Sequence, residues 1–306
     1  MSSLIEQAAH RLEQLRRAGA VVAEPRPAQR LPGGGHAPAT PMPPAVPVVP
    51  AVESRKVELD FAALAAAGIL VPNAARSMLG DQYRVIKRPL IRNAVGKGAA
   101  KVAHGNLIMI TSALAGEGKS FTAVNLAMSI ATELDHTVML VDADVARPSI
   151  SRMLGLSSVS NAAFGPGLLD VLDGRTDIPS ALLRTNVDKL TVLPSGTQTE
   201  RATELLASDA MTRLLDEMGR RYPDRIVIFD SPPLLLTTEA RVLATHMGQV
   251  VVVVHAGKTS QADVQTALGT IDNCPVRLML LNRAQSAATQ GAYGYGYGYG
   301  YGYGQG

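Results

Sequence analysis

The chain reads Ser-Ala-Leu-Ala-Gly-Glu-Gly-Lys-Ser at residues 112–120, shortly after the apolar run Leu-Ile-Met-Ile at 107–110. A strand, a loop of small residues and a helix that opens with Gly-Lys-Ser form a cradle for phosphate, because loop N–H groups and the helix N-terminus converge on an anion. Lys119 is placed to reach the β- and γ-phosphates, and the Ser120 hydroxyl to bind Mg²⁺. The stretch therefore predicts a nucleoside triphosphate site.

Two features of this loop leave other interpretations open. Ala113 stands where the usual pattern begins with glycine. Gly116 and Gly118 also match the start of a dinucleotide fingerprint, but Phe121 occupies the third glycine position, and Lys-Ser suits a triphosphate with metal better. A glycine-rich turn without a ligand is the remaining alternative.

Two other apolar runs end in acidic residues. Asp142 and Asp144 follow one run, two residues apart, so that in extended backbone both side chains point the same way. Asp230 ends the other run and precedes Ser-Pro-Pro. Each acid alone could cap a helix, but Mg²⁺ on a triphosphate needs oxygen ligands and water-holding carboxylates. We predict that Ser120, Asp142 and Asp230 form the metal site.

The chemistry that these groups fit is phosphoryl transfer, whose loose transition state needs positioning and charge neutralisation more than covalent catalysis. Lys119, the metal and Arg147 would position the phosphoryl group and neutralise its charge. Asp144 would then be free to contact the reacting groups. Asn282, just after the last predicted strand, is a candidate for contacting adenine. An exposed amide that merely lies at the end of the strand is an equally good interpretation. The residues predicted to contact the nucleotide are Ala115, Gly116, Glu117, Gly118, Lys119, Ser120, Phe121, Arg147 and Asn282.

The pattern between these motifs predicts an α/β fold with a mostly parallel sheet and helices on both faces. Strands are expected at 107–111, 137–141, 190–193, 225–229, 249–255 and 276–281, and helices at 119–133, 209–222, 238–246 and 261–272. Ligands of such sheets bind at the carboxyl ends of the strands, where the motifs lie.

Four segments are predicted along the chain. Residues 1–20 have the spacing of an amphipathic helix, 21–56 form a Pro/Ala-rich linker, 57–284 the globular domain and 285–306 a Tyr/Gly-rich tail. A further helix is expected over 81–93, with Lys87 turned away from its apolar face and Pro89 kinking or restarting it.

Composition narrows the class of protein. The chain has 306 residues and a formal net charge of +3, which is too small to argue for a nucleic acid partner. Its single cysteine, Cys274, fits a buried residue in a reducing compartment. The sequence shows no apolar window of about 20 residues that could span a membrane. These features predict a cytoplasmic protein.

The tail alternates tyrosine with glycine. Glycine disfavours ordering, so we expect the tail to be disordered, with exposed phenols. A strand with every ring on one face, or an adhesive patch, is the alternative. The segment spans about 25 Å r.m.s., enough to carry a phenol into a neighbouring active site. The candidate phosphoacceptors are Tyr293, Tyr295, Tyr297, Tyr299, Tyr301 and Tyr303.

With the loop, the paired acids, Asp-Ser-Pro-Pro at 230–233 and the tyrosine tail, the chain resembles the bacterial tyrosine kinases (BY-kinases) over about 81–306. The N-terminal helix, the linker and residues 84–90 resemble the exosortase-associated branch. This resemblance implies a P-loop ATPase fold with ATP and Mg²⁺ as cofactors. It also implies autophosphorylation in trans within a ring, usually an octamer, and a function in exopolysaccharide chain length and export.

The resemblance also implies residue roles. Lys119 and Ser120 match the Walker A lysine and serine, Asp142 and Asp144 the Walker A′ acids, and Asp230 the Walker B acid. Asp142 would take the tyrosine proton.

A subunit-contact motif is implied at Asp81, Arg84 and Lys87, where Lys87 replaces an arginine and cannot make its bidentate contacts. Some members are fused to a transmembrane activator. The resemblance therefore implies a separate membrane polysaccharide co-polymerase that recruits this chain to the inner membrane. A cognate tyrosine phosphatase would reset the tail.

Two other functions fit parts of the pattern. A ParA/MinD-like partitioning ATPase would carry an additional lysine early in the loop, and residues 113–115 contain none. A non-catalytic scaffold would bind ATP only to order its assembly. Neither alternative accounts for the tyrosine tail.

Overall fold

The computed structural model describes residues 54–98, 101–156, 165–221 and 225–284, with Arg221 described by its backbone alone. The predicted N-terminal helix, most of the linker and the tyrosine tail lie outside these ranges. The sheet begins inside the predicted linker, because its first strand starts at Arg55. The expected boundary at residue 56 is therefore corrected.

Within the described ranges, eight strands, numbered along the chain, form one sheet in the order β1-β4-β5-β3-β6-β2-β7-β8. All neighbouring pairs are parallel except β4 and β5. The strands are β1 Arg55–Val57, β2 Leu107–Ser112, β3 Thr137–Asp142, β4 Leu183–Thr185, β5 Leu190–Leu193, β6 Arg225–Asp230, β7 Gln249–His255 and β8 Arg277–Asn282. The six predicted strands are confirmed to within one residue at each end.

Helices cover both faces of the sheet. They are α1 Phe61–Ala66, α2 Met78–Ala94, α3 Lys119–Ala131, α4 Ile150–Met153, α5 Leu168–Leu172, α6 Ile178–Ala181, α7 Ala202–Leu206, α8 Asp209–Arg221, α9 Thr238–Thr245 and α10 Gln261–Gly269. The predicted α/β class is confirmed. Within the described ranges, the helices are too short or too polar for any of them to cross a bilayer.

The central strands divide the core into two layers. In β2, Leu107 and Met109 pack against one apolar cluster, while Ile108 and Ile110 pack against the cluster on the opposite face. Side chains alternate along a strand, so a strand covered on both faces is apolar throughout. Cys274 is buried with a free thiol, as predicted.

The helix α2 excludes one of the two alternatives for Pro89 and corrects the expectation for Lys87. It runs through Pro89 as one element from Met78 to Ala94, so it does not restart there. Lys87 is buried, with 3% of its surface exposed, and lies on the same stripe as Tyr83 and Leu90. The prediction that Lys87 turns away from the apolar face is wrong, because it follows Tyr83 by four residues and precedes Leu90 by three.

Candidate active site

The predicted acids converge because β3, β6 and β2 are neighbours. Asp142 and Asp230 are directly opposite each other at the carboxyl ends of β3 and β6. β2 lies on the other side of β6 and leads into the loop at 113–118. Parallel strands end at one edge of the sheet, so the loop and the carboxylates share a crevice there.

The phosphate loop has the backbone geometry that its sequence predicts. Gly116 and Gly118 have φ values of 83° and 96°, which side chains rarely adopt. Gly118 is the N-cap of α3 and makes no side-chain capping bond. Ala115 and Gly116 are exposed, so the loop tip and the first N–H groups of α3 are open to an anion.

Glu117 braces this loop from inside. Its side chain is buried; Oε2 accepts the Leu114 N–H at 2.7 Å and Oε1 accepts the Thr259 hydroxyl. The carboxylate therefore points away from the loop tip, and any contact of Glu117 with nucleotide would come from its backbone. Thr259 was not predicted, because the two residues are 142 positions apart.

Asn282 closes the loop from the end of β8. Its Nδ2 donates to the Glu117 carbonyl at 2.9 Å, and its Oδ1 accepts the Arg283 N–H at 2.9 Å. A Cβ on Gly118 would lie 2.1 Å from Asn282 Nδ2. Asn282 thus holds the loop in place, and its contact with adenine stays a prediction.

Lys119 lies among the three acids. Its Nζ is 2.6 Å from Asp144 Oδ2, 3.7 Å from Asp230 Oδ1 and 3.4 Å from Ser120 Oγ. Burial lowers the pKa of Lys119, but the nearby carboxylates outweigh burial and leave the pKa above its usual value. Lys119 is therefore charged. It pairs with carboxylates, and a bound triphosphate can replace them as its partner.

The two opposed aspartates have raised pKa values. Burial, followed by the charge of Asp230, raises the pKa of Asp142 to about 7, against the hydrogen bonds from the N–H groups of Ile150 and Ser149. Burial also raises the pKa of Asp230 to about 6, although Lys119 lowers it in part. Carboxylates with pKa values near neutral can exchange protons under physiological conditions.

Carboxylate oxygens that accept no hydrogen bond identify a place for a metal ion. Among the described residues, Asp142 Oδ1 and both carboxylate oxygens of Asp230 are buried without a hydrogen-bond partner. Polar atoms left in this way are costly unless a ligand or water satisfies them. In the described ranges no three acidic, His or Cys side chains enclose a metal by themselves. That arrangement fits Mg²⁺, which keeps several waters and binds substrate phosphates.

Arg147 and Phe121 complete the predicted nucleotide set at its periphery. Arg147 is exposed, and its N–H donates to the Asp144 carbonyl at 3.0 Å. Phe121 is half-buried near the start of α3. Among the described residues, no hydrogen bond or ion pair joins either side chain to the acids, so their contact with nucleotide stays a prediction.

The predicted subunit-contact residues have different environments. Asp81 is half-buried and Arg84 is exposed. The two form an ion pair at 2.8 Å, and Arg76 pairs with Asp81 at 3.0 Å. Lys87 instead pairs within its own chain, with Glu133 at 2.7 Å and the Ser129 carbonyl at 2.5 Å. The charge of Lys87 is thus already paired inside the fold, and its subunit contact stays a prediction.

Known proteins share this architecture. A family model described as "ParA: NUBPL iron-transfer P-loop NTPase" matches residues 103–281. Tyrosine-protein kinase YwqD of Bacillus subtilis is 31% identical over 211 residues, covering 69% of this chain and 83% of that protein. Tyrosine-protein kinase ptk of Acinetobacter johnsonii is 30% identical over 192 residues, covering 62% of this chain but only 25% of that longer protein.

A solved structure extends the likeness. The kinase domain of Escherichia coli tyrosine kinase ETK superposes with a TM-score of 0.59 at 27% identity, covering 75% of this chain and 84% of that one. The chain is thus similar to proteins named as tyrosine kinases in both sequence and fold.

Proposed function

Because the chain belongs to the bacterial tyrosine-protein kinases, which have a P-loop NTPase fold, we propose that it uses ATP and Mg²⁺ to phosphorylate the tyrosines of its own C-terminal tail. The observation that supports this most is the position of Lys119 among Asp142, Asp144 and Asp230, beside a loop open to an anion. A site of this kind stabilises a transferred phosphoryl group by charge and position.

The loop and Lys119 bind the triphosphate. The N–H groups of residues 115–121 would hold the phosphates, and Lys119 would exchange its pairing with Asp144 for the terminal phosphate. Ser120, Asp142 and Asp230 are the residues that would hold Mg²⁺, which neutralises the phosphate oxygens when bound. Arg147 is exposed beside Asp144 and supplies further positive charge near the transferred group.

Asp142 receives the proton. The phenol oxygen forms a bond to the γ-phosphorus as the bond from that phosphorus to the β–γ bridging oxygen breaks, and ADP leaves. The phenol proton passes to the Asp142 carboxylate, which is held in place by the N–H groups of Ser149 and Ile150 that donate to its Oδ2.

The acceptor is the tail of another copy. The tyrosines from Tyr293 to Tyr303 would enter a neighbouring site within a homo-oligomeric ring. The ion pair of Asp81 and Arg84 would contribute to the contact between its subunits. In this proposal a membrane polysaccharide co-polymerase recruits and activates the kinase, a phosphatase resets it, and the cycle regulates exopolysaccharide chain length and export. Membership of the tyrosine-kinase family supports the proposed partners and the proposed regulation.

A mixing experiment tests transfer between copies. Full-length Lys119→Met chain, which keeps its tail, is incubated with ATP, Mg²⁺ and wild-type chain truncated after Gln290, which keeps its site. Phosphotyrosine on the Lys119→Met chain is the expected result. Its absence, while full-length wild type still phosphorylates itself, would show that transfer occurs within one chain.

A partitioning-type ATPase is the second candidate, because the ParA family model covers 103–281. That function requires ATP hydrolysis without phosphate on tyrosine. Measuring released phosphate and phosphotyrosine in the same reaction distinguishes the two.

A further inference from the structure

The outer edge of β8 is unpaired among the described residues, where β8 is the last strand of the sheet. The carbonyls of Val276 and Asn282, at its two ends, accept N–H groups from the β7 side. Backbone groups of alternate residues in a strand point to opposite edges. The N–H and C=O groups of Met279 and Leu281 therefore face away from β7.

The same edge is apolar. Met279 and Leu281 are 64% and 63% exposed, on the sheet face opposite to the half-buried Leu278 and Leu280. Together with α10 they border a cavity of about 500 Å³. The apolar residues that line this groove are Val254, Val264, Leu268, Met279 and Leu281. Proteins normally cover or charge such an edge, because an exposed apolar strand pairs with other chains.

We propose that the Tyr-Gly segment of the same chain adds to this edge as a further strand, with its phenols in the groove. The segment follows β8 closely in sequence, because β8 ends at Asn282 and the Tyr-Gly segment begins at Tyr293. Arg283 has a left-handed φ of 55°, which turns the chain directly after β8. The residues 283–292 are enough for a reversal, so the segment would run antiparallel to β8.

The alternation of the segment matches the two faces of β8. An extended Tyr-Gly repeat puts every phenol on one face and only glycine on the other. The phenols would lie beside Met279 and Leu281, as aromatic and aliphatic cross-strand pairs. The glycines would lie on the side of Leu278 and Leu280, where they add no bulk. Main-chain bonds to the edge supply the remaining affinity, as in other cases of strand addition.

Docking would couple to phosphorylation, and this consequence rests on the proposed function. Each phosphotyrosine adds about −1.5 to −2 charges. A dianion cannot enter an apolar groove without a large desolvation cost. The groove would therefore hold the unmodified tail and release it once phosphorylated.

Residue-resolved amide hydrogen exchange tests the docking, with the full-length Lys119→Met chain so that the tail stays unmodified. We expect the amides of Arg277, Met279 and Leu281 to exchange about tenfold more slowly than in the same chain truncated after Gln290. The amides of Leu278 and Leu280, which face β7, should not change. This alternation is the signature of an added strand.

Two substitutions on the full-length Lys119→Met chain extend the test. Leu281→Asp should raise exchange at Met279 to the level of the truncated chain. Leu236→Asp, at an apolar side chain 58% exposed elsewhere, is the matched control and should leave the slow exchange intact.

Three results would overturn the proposal. Equal exchange in full-length and truncated chains would show that the tail does not dock. Slow exchange that persists after truncation and grows with protein concentration would assign the edge to a second copy. Protection of isotope-labelled truncated chain by unlabelled full-length chain would assign it to another chain's tail. None of these measurements depends on kinase activity, so failure here is distinct from failure of the proposed function.

Discussion

The Lys119 Nζ lies 2.6 Å from Asp144 Oδ2, so without nucleotide the lysine that would bind phosphate is paired with an acid of the same site. Both side chains are largely buried, at 12% and 6% exposed, and such a pair is costly to break by removing one partner. A triphosphate offers Lys119 a replacement for the carboxylate. The site therefore carries a built-in competitor for its own ligand.

Removing this competitor should separate binding from transfer. We expect Asp144→Asn to tighten ATP binding several-fold, because it removes a negative charge beside the triphosphate. It should also slow phosphotransfer at least about tenfold, because the reacting groups lose a carboxylate that orients them. Nucleotide titration and the rate of phosphotyrosine formation measure the two effects. Asp173→Asn, which breaks the more exposed ion pair with Arg175, is the control and should change neither. Weaker ATP binding would contradict the competitor role.

The brace between Glu117 and Thr259 should contribute to nucleotide affinity. Glu117→Gln and Thr259→Val should each weaken ATP binding. A double-mutant cycle should give a coupling of about 1.5–3 kcal/mol, which is typical of a hydrogen bond to a charged group. Thr266→Val removes a hydroxyl that bonds only within α10 and serves as the control. Strictly additive effects would mean that the contact does not hold the loop.

The two loop glycines should differ in their response to alanine. Gly118→Ala meets both a left-handed φ of 96° and a collision with Asn282, whereas Gly116→Ala meets only a φ of 83°, with no atom within 4 Å. We expect about 1–2 kcal/mol of strain at Gly116 and a clearly larger loss of stability or ATP binding at Gly118. Asn282→Ala should relieve part of the Gly118→Ala defect. Equal effects at the two glycines would exclude the collision.

The ion pair of Lys87 with Glu133 should make stability depend on pH. The hydrogen bond from Lys87 holds the pKa of Glu133 below its usual value, so this contribution is complete above about pH 4.3 and is lost as the pH falls through the lower folded pKa. Because the Glu133 side chain is 36% exposed, solvent limits the contribution to about 1 kcal/mol.

We therefore expect Glu133→Gln to lower the free energy of urea unfolding at pH 7, and we expect its difference from the wild type to be smaller at pH 3. Glu58→Gln, at an exposed residue, controls for the lost charge. A difference that stays the same at both pH values would contradict the electrostatic origin.

Phosphorylation should loosen the assembly. Six phosphotyrosines would add roughly −9 to −12 charges per subunit and outweigh the formal +3. We expect a smaller particle mass for phosphorylated than for dephosphorylated protein, with the difference fading as salt screens the charges. Equal oligomer sizes at several salt concentrations would refute this.

The sequence predicts the centre of the fold better than its margins. Continuous apolar runs such as 250–254 must be buried on both faces, so the six main strands could be located by pattern. β1 and β4 have three residues each, too short for a periodicity, and their pairing depends on strands distant in the chain. The strand-end position of Asp142 and Asp230 followed from the same pattern.

Contacts between residues that are distant in sequence could not be predicted at the site. Residues of one loop or one strand could be assigned from spacing, which is how Lys119 and Ser120 were identified. Thr259 reaches Glu117, and Glu133 reaches Lys87, only through the tertiary fold. No local pattern encodes such pairs. The sequence predicts an exposed Lys87 because lysine is charged, whereas its position in the helix puts it on the buried stripe with Tyr83 and Leu90.

The most direct measurement is to locate phosphate on the chain itself. Purified wild-type and Lys119→Met proteins would be incubated with isotopically labelled ATP and Mg²⁺ and then digested, and the fragment that contains Tyr293 to Tyr303 would be analysed by mass spectrometry. The account predicts label on these tyrosines in the wild type and none in Lys119→Met. Hydrolysis of ATP without label on the tail, or equal label in both proteins, would contradict it.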